Sequence, residues 1–176
     1  MSLVGEVAAY LGKRRIKCAL IGGEALAVHG VARATLDSDL LVATSDVLRG
    51  PFWSDLSPAA AVEIRRGDPD DPLAGAARIH RRTEQTDVIV GRPWVRPMLD
   101  RGLRIRIGSD DLPVVDRADL ILLKLFAAGP QDLLDVRLLL ESEEDETTAH
   151  VESRLSGVPQ EVVRAWRRLR RTSPHH

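Results

Sequence analysis

Residues 22–42 read Gly22-Gly23-Glu24-Ala25-Leu26-Ala27-Val28-His29-Gly30-Val31-Ala32-Arg33-Ala34-Thr35-Leu36-Asp37-Ser38-Asp39-Leu40-Leu41-Val42. The apolar run Ile16 to Ile21 before them is consistent with a buried strand. The two glycines punctuate that strand, and Glu24 to His29 then fit a short helix closed by Gly30. Leu36 to Val42 reads as a second strand. On a strand alternate side chains share a face, so Asp37 and Asp39 project together at the mouth of an apolar segment. Two such carboxylates repel one another unless something neutralises them, and hard oxygen ligands suit magnesium or manganese. An Asp-x-Asp on a loop is more often a turn or helix cap, so the pair gains weight from what precedes it. Glycines opening a helix let backbone N–H groups approach an anion, which gives Gly22 and Gly23 the look of a phosphate cradle. A tight strand-to-helix turn is the plainer reading of the same two residues.

Working outward, Thr86-Asp87-Val88-Ile89-Val90 again places an acid at the start of an apolar strand. If that strand neighbours the first, three carboxylates converge. A trio of this kind can hold metal for in-line displacement and leave one group to accept a hydroxyl proton. Lys124 is the next anomaly. Leu120, Ile121, Ala127 and Ala128 stand at its helical neighbours, so it lies on an apolar stripe and needs a partner. A triphosphate would serve, and so would Asp132 or Asp135 on the following helix.

In order, these pieces resemble the nucleotidyltransferase superfamily, and within it the AbiEii-like and MenT-like branch. The resemblance lies in a Gly-Gly helix start followed by Gly30-Val31-Ala32-Arg33-Ala34-Thr35-Leu36-Asp37-Ser38-Asp39. Leu122-Leu123-Lys124-Leu125 and Asp132-Leu133-Leu134-Asp135 are similar to that branch's later lysine and aspartate motifs. It implies that Gly22 and Gly23 hold a nucleoside triphosphate, that Asp37, Asp39 and Asp87 ligate Mg2+ or Mn2+, and that Asp87 activates an acceptor hydroxyl. It further implies that Lys124 contacts the phosphates, Asp135 supports the site, and Arg33 and Thr35 steady the metal-bearing strand or the phosphates. The implied reaction is transfer of a nucleoside monophosphate from an NTP to a hydroxyl. In this branch the acceptor includes tRNA, and a cognate antitoxin is a frequent partner. Gly23 departs from the serine often found there and removes a hydroxyl contact to phosphate.

Composition fits this picture without proving it. The chain has 176 residues, is 44% hydrophobic and carries a formal charge of −1. It can bury a core, and it offers no global charge to argue for nucleic acid or membrane. Aromatics are 3%, so the core must be Leu, Val, Ile and Ala. Cys18 is alone and sits in an apolar run, which excludes an internal disulfide. No segment approaches the length of an apolar span, so a cytoplasmic protein with no membrane partner is expected.

The remaining periodicities predict a helix over 2–13, weaker strands over 61–65 and 76–81 around an acidic turn at 67–72, a helix over 94–103, and short strands or a hairpin over 104–115. Four helices are expected over 117–128, 131–141, 145–155 and 159–171. The expected fold is α/β: a nucleotidyltransferase-like (DNA polymerase beta-like) mixed sheet packed with helices over 1–115, followed by a small helical segment over 116–176 that supplies Lys124 and Asp135. His29 is expected to cap or pack, His80 to face solvent from a strand, and the tryptophans to pack. The arginines from Arg164 to Arg171 read as a solvated helix face, with contact to tRNA phosphates the competing reading.

Overall fold

The computed structural model describes residues 1–33, 35, 37–67, 73–141 and 144–172. Expectations placed on Leu36 and most of the 67–72 turn lie outside these residues.

The chain runs α1 (Leu3–Lys13), β1 (Cys18–Ile21), α2 (Gly22–Val28), β2 (Asp37–Val42), two 3-10 turns (Ser45–Leu48 and Gly50–Trp53), then β3 (Ala61–Arg66), β4 (Gly75–Arg81) and β5 (Glu84–Val90). A 3-10 turn at Pro93–Val95 leads into α3 (Arg96–Arg101). After it come β6 (Leu103–Ile107), β7 (Asp110–Val114), α4 (Arg117–Ala127), α5 (Pro130–Glu141), α6 (Glu144–Arg154) and α7 (Gln160–Thr172). The strands form one mixed sheet in the order β3-β4-β5-β2-β1-β7-β6. β2 is antiparallel to β1 and parallel to β5, and β1 is parallel to β7.

Burial along each strand explains why one part of this sheet is open. β1 is apolar and buried on both faces, as are Leu40, Leu41 and Val42 at the far end of β2. In β4 and β5 buried residues alternate with half-exposed ones, the pattern of a sheet covered on one side only. The covered side carries Ala77, Ile79, Val88 and Val90, beneath α1 and the two 3-10 turns. Tyr10 of α1 stacks on Trp53 there and donates its hydroxyl to the Phe52 carbonyl. The opposite side of β4 and β5 stays open, and the acids project from it.

Beyond β7 the helices gather around α4, which packs against α5, α6 and α7. A single buried cluster runs from Leu3 through Leu120, Ile121 and Val136 to Trp166 and Leu169. Polar clamps reinforce the junction. Asp119, fully buried on α4, accepts two hydrogen bonds of 2.9 Å from Arg101 of α3 and pairs with Arg154 of α6. Arg154 also reaches Asp116, the residue that caps α4. No helix among the described residues is long and apolar enough to cross a membrane.

Candidate active site

The site begins with a register. In the parallel pair β2–β5, Asp39 lies opposite Asp87 and Asp37 opposite Gln85. Opposed residues of neighbouring strands point to the same side, so Asp37, Asp39 and Asp87 share the open face of the sheet. Ser38 and Thr86 lie opposite one another on the other face, where Thr86 is fully buried.

β1 shapes the floor beside them. Ile21 pairs with Asp39, and the chain then turns at Gly22 with φ +70° into α2. A Cβ at Gly22 would collide with the Asp39 carboxylate, and one at Gly23 would meet the Thr35 side chain at 2.8 Å. The diglycine is thus required for close approach as well as for the turn. No side chain caps the start of α2. Thr35 donates its hydroxyl to the Asp37 carbonyl at 2.8 Å and braces the entry to β2.

The electrostatics of this corner are unfavourable by construction. The Asp39 carboxyl is pushed up to about 6, first by burial and then by the charges of Asp87 and Asp37, with Glu24 adding to them and Lys124 opposing. Glu24, on the first turn of α2, has a buried carboxylate oxygen with no hydrogen-bond partner. Four acids therefore act on one small volume. Oxygen-only donors, an orphaned carboxylate oxygen and an acid held above its ordinary range suit a hard divalent cation.

Asp87 is already engaged. Arg78, its neighbour on β4, donates Nε to Oδ1 at 2.9 Å and Nη2 to Oδ2 at 2.8 Å. Among the described residues no group of three or more His, Cys, Asp and Glu side chains is arranged to hold a metal ion. The sheet brings Asp39 and Asp87 to adjacent positions, with Asp87 held by Arg78.

Lys124 has both of the acidic partners weighed from the sequence. Its Nζ lies 2.9 Å from Asp132 and 2.8 Å from Asp135. Asp135 is buried and also receives Arg33 at 2.7 Å and Gln131 at 3.0 Å. Burial alone would raise the Asp135 carboxyl. The hydrogen bonds from Lys124 and Gln131, with the positive charges of Lys124 and Arg33, outweigh it and hold the group below its ordinary range. Arg33 thus anchors the segment before β2 to α5. His29 caps α2 and contacts the Val115 carbonyl at 2.8 Å, Trp94 packs edge-on against Phe126, and His80 stands 3.9 Å from Glu63.

Arg78, Glu24 and Glu63 were missed from the sequence. The signal for Arg78 is a two-residue connection, Arg82-Thr83, which closes β4 onto β5 and fixes Arg78 opposite Asp87. Neither residue is the Asn, Asp or Gly that marks such hairpins, and Arg82 adopts φ +55° without being glycine.

No protein-family profile and no curated protein sequence matches the chain. Solved structures do. The antibiotic-resistance factor ANT(2")-Ia, in complex with adenylyl-2"-tobramycin, aligns with TM-score 0.60 at 15% identity over 88% of this chain and 94% of its own. An antigenic nucleotidyltransferase-like protein from Paracoccidioides brasiliensis aligns with TM-score 0.53 at 15% identity, over 92% and 89% respectively. JHP933 from Helicobacter pylori aligns with TM-score 0.52 at 18% identity, over 87% and 69%. The architecture is that of the nucleotidyltransferase fold, as the residue 22–42 motif implied.

Proposed function

We propose that the chain is a nucleotidyltransferase that moves a nucleoside monophosphate from an NTP to a hydroxyl acceptor. The observation that carries this reading is the register of Asp39 against Asp87, with Asp37 on the same face and Gly22 bare beneath Asp39. In this reading Asp37, Asp39 and Asp87 hold Mg2+ or Mn2+, which when bound neutralises charge on the phosphoryl oxygens. The amides of Gly22 and Gly23 face the triphosphate, and Lys124 leans toward it from the Asp132–Asp135 clamp. Asp135 holds Lys124 and Arg33 in place, and Thr35 steadies the acid-bearing strand. Asp87 accepts the proton of the attacking hydroxyl.

For the acceptor, the AbiEii-like and MenT-like motif supports a tRNA hydroxyl and a cognate antitoxin as regulator. The neighbour bound to adenylyl-2"-tobramycin makes an aminoglycoside the acceptor to test beside it. Incubation with α-labelled NTPs and Mg2+, with total RNA in one arm and tobramycin in another, tests both. Label should move to one acceptor and stay unmoved with Asp39→Asn. No transfer to any acceptor, together with no NTP binding, contradicts the proposal.

One observation favours a second reading, a non-catalytic nucleotide-binding or partner-binding protein of the same fold. The bidentate Arg78–Asp87 pair already gives the third acid a counter-charge within the protein. Under that reading Asp37→Ala and Asp39→Ala keep every measurable property of the parent protein.

A further inference from the structure

The sheet order leaves β6 at one end, with β7 on its inner side and no strand beyond it among the described residues. At the opposite end β3 lies against the two 3-10 turns, whereas the main packing partner of β6 is β7. The backbone groups on its outer edge can be named. Val115 donates its N–H to the Leu20 carbonyl of β1 at 3.1 Å, so alternate residues of β7 turn toward β1 and the backbone groups of Asp110, Leu112 and Val114 turn toward β6. Their register partners Ile107, Ile105 and Leu103 hold the ladder. Arg104 and Arg106, opposite Pro113 and Asp111, therefore turn their N–H and C=O groups outward. Pro113 has no N–H to offer Arg104, which agrees with this phase. The same two residues carry the charge of the strand. Arg104 bonds Asp111 at 2.9 Å, and Arg106 is exposed and makes no ion pair among the described residues. On the other face Leu103 is 48% exposed, beside the half-buried Ile105 and Ile107.

We propose that β6 is a docking edge for an extended partner segment of alternating acidic and apolar residues. The segment adds to the sheet as a further strand and completes its ladder on the outward backbone groups of Arg104 and Arg106. Its acids stand beside those two arginines, and its apolar residues lie along Leu103 and Ile105. Charge complementarity selects this occupant over a second copy of the chain. In an antiparallel pairing of β6 with itself, every face-matched register that joins three or more residues sets arginine opposite arginine: Arg104 against Arg104, Arg104 against Arg106, or Arg106 against Arg106. Like charges directly opposite are destabilising, so the two arginines guard the edge against its own kind and against neutral or basic strands. An acidic strand reverses the sign of that interaction and gains the free backbone groups as well. β7 and β1 separate this edge from Asp39 on β2, so the proposal stands apart from the nucleotide site.

The experiment titrates the full chain into short dye-labelled peptides and reads fluorescence anisotropy, with amide hydrogen exchange on the bound protein. The peptides alternate valine with glutamate, alternate valine with lysine, contain glutamate alone, or repeat the first with alternate amides N-methylated. The valine–glutamate peptide should bind at least about tenfold more tightly than each of the others. Its binding should slow exchange at the Arg104 and Arg106 amides and leave that of Ile105, already in the ladder, unchanged. Arg106→Glu should weaken the valine–glutamate peptide by about tenfold and strengthen the valine–lysine one, and Arg106→Gln should fall between parent and Arg106→Glu. No binding of the valine–glutamate peptide, or equal binding of the lysine peptide, overturns the proposal. Equal binding of the glutamate-only or N-methylated peptide reduces the effect to counter-ion attraction and overturns strand addition. Self-association of the parent in sedimentation, with protection of the Arg104 and Arg106 amides that rises with protein concentration, makes the occupant a second copy and overturns the acidic partner.

Discussion

The Asp39 carboxylate lies over the bare Cα of Gly22, so the second acid of the motif and the first glycine are fitted to each other. A side chain at Gly22 and the carboxylate of Asp39 cannot share that space. Gly22 holds φ +70°, a conformation that costs a side chain roughly 1–2 kcal/mol, and an added Cβ has nowhere to go but into Asp39. Gly22→Ala should therefore lower stability by about 2 kcal/mol or more and displace Asp39, seen as a lower melting temperature together with lost Mg2+ response. Gly23→Ala meets the Thr35 side chain at a position without positive φ and should cost less.

The acids should make the empty protein less stable than it need be. The folded-state pKa of Asp39, about 6, is above its ordinary value of 3.8, so the folded form favours the protonated group. Its charge is an unfavourable contribution that is absent below about pH 4, grows as pH rises toward 6, and is complete above that. Asp39→Asn removes it. Without metal at pH 7.5 the variant should be more stable than the parent by roughly 1–3 kcal/mol, an advantage that shrinks as pH falls through 6. Chemical denaturation of both proteins at several pH values measures this, and a parent that is the more stable at pH 7.5 contradicts it.

The Lys124 clamp separates stability from nucleotide binding. Asp135→Ala leaves Lys124 and Arg33 without their shared buried partner and should cost about 3–5 kcal/mol. Lys124→Met leaves Asp135 still bonded to Arg33 and Gln131, so it should cost less stability yet weaken NTP binding more. Unfolding midpoints and nucleotide titrations on both variants give the comparison.

Asp119 belongs to a different machine. It is fully buried and held by Arg101 and Arg154, so it joins α3, α4 and α6 far along the chain from the acids of β2 and β5. Asp119→Ala should cost about 3 kcal/mol by stranding Arg101 and leaving Arg154 with Asp116 alone, while the folded fraction binds NTP as the parent does. Loss of binding in a protein shown to be folded by its circular dichroism would count against this division of labour.

Much of the fold was legible because the local signals agree with one another. Apolar runs, glycine punctuation and a three-to-four-residue periodicity placed α1, β1, α2, β5 and the four last helices within a few residues of where they lie. The acids Asp37 and Asp39 were legible as a pair because strand alternation is a local rule. What lay hidden depended on pairing between strands. The opposition of Asp39 and Asp87 is set by the parallel register of β2 and β5, which no short segment encodes. The clasp of Arg78 on Asp87 depends on a hairpin whose turn, Arg82-Thr83, carries no turn signature. Lys124 shows the opposite case: its place on an apolar stripe announced that a partner existed, and two helices met to supply Asp132 and Asp135 together.

The most direct test of the central claim is calorimetry of a non-hydrolysable NTP analogue binding to the parent protein, with and without Mg2+, and to Asp39→Asn. The account requires saturable binding that depends on Mg2+ in the parent and is weakened at least about tenfold in the variant. Binding that is equal with and without the cation, or unchanged when Asp39 loses its charge, would mean that these acids do not build a nucleotide site.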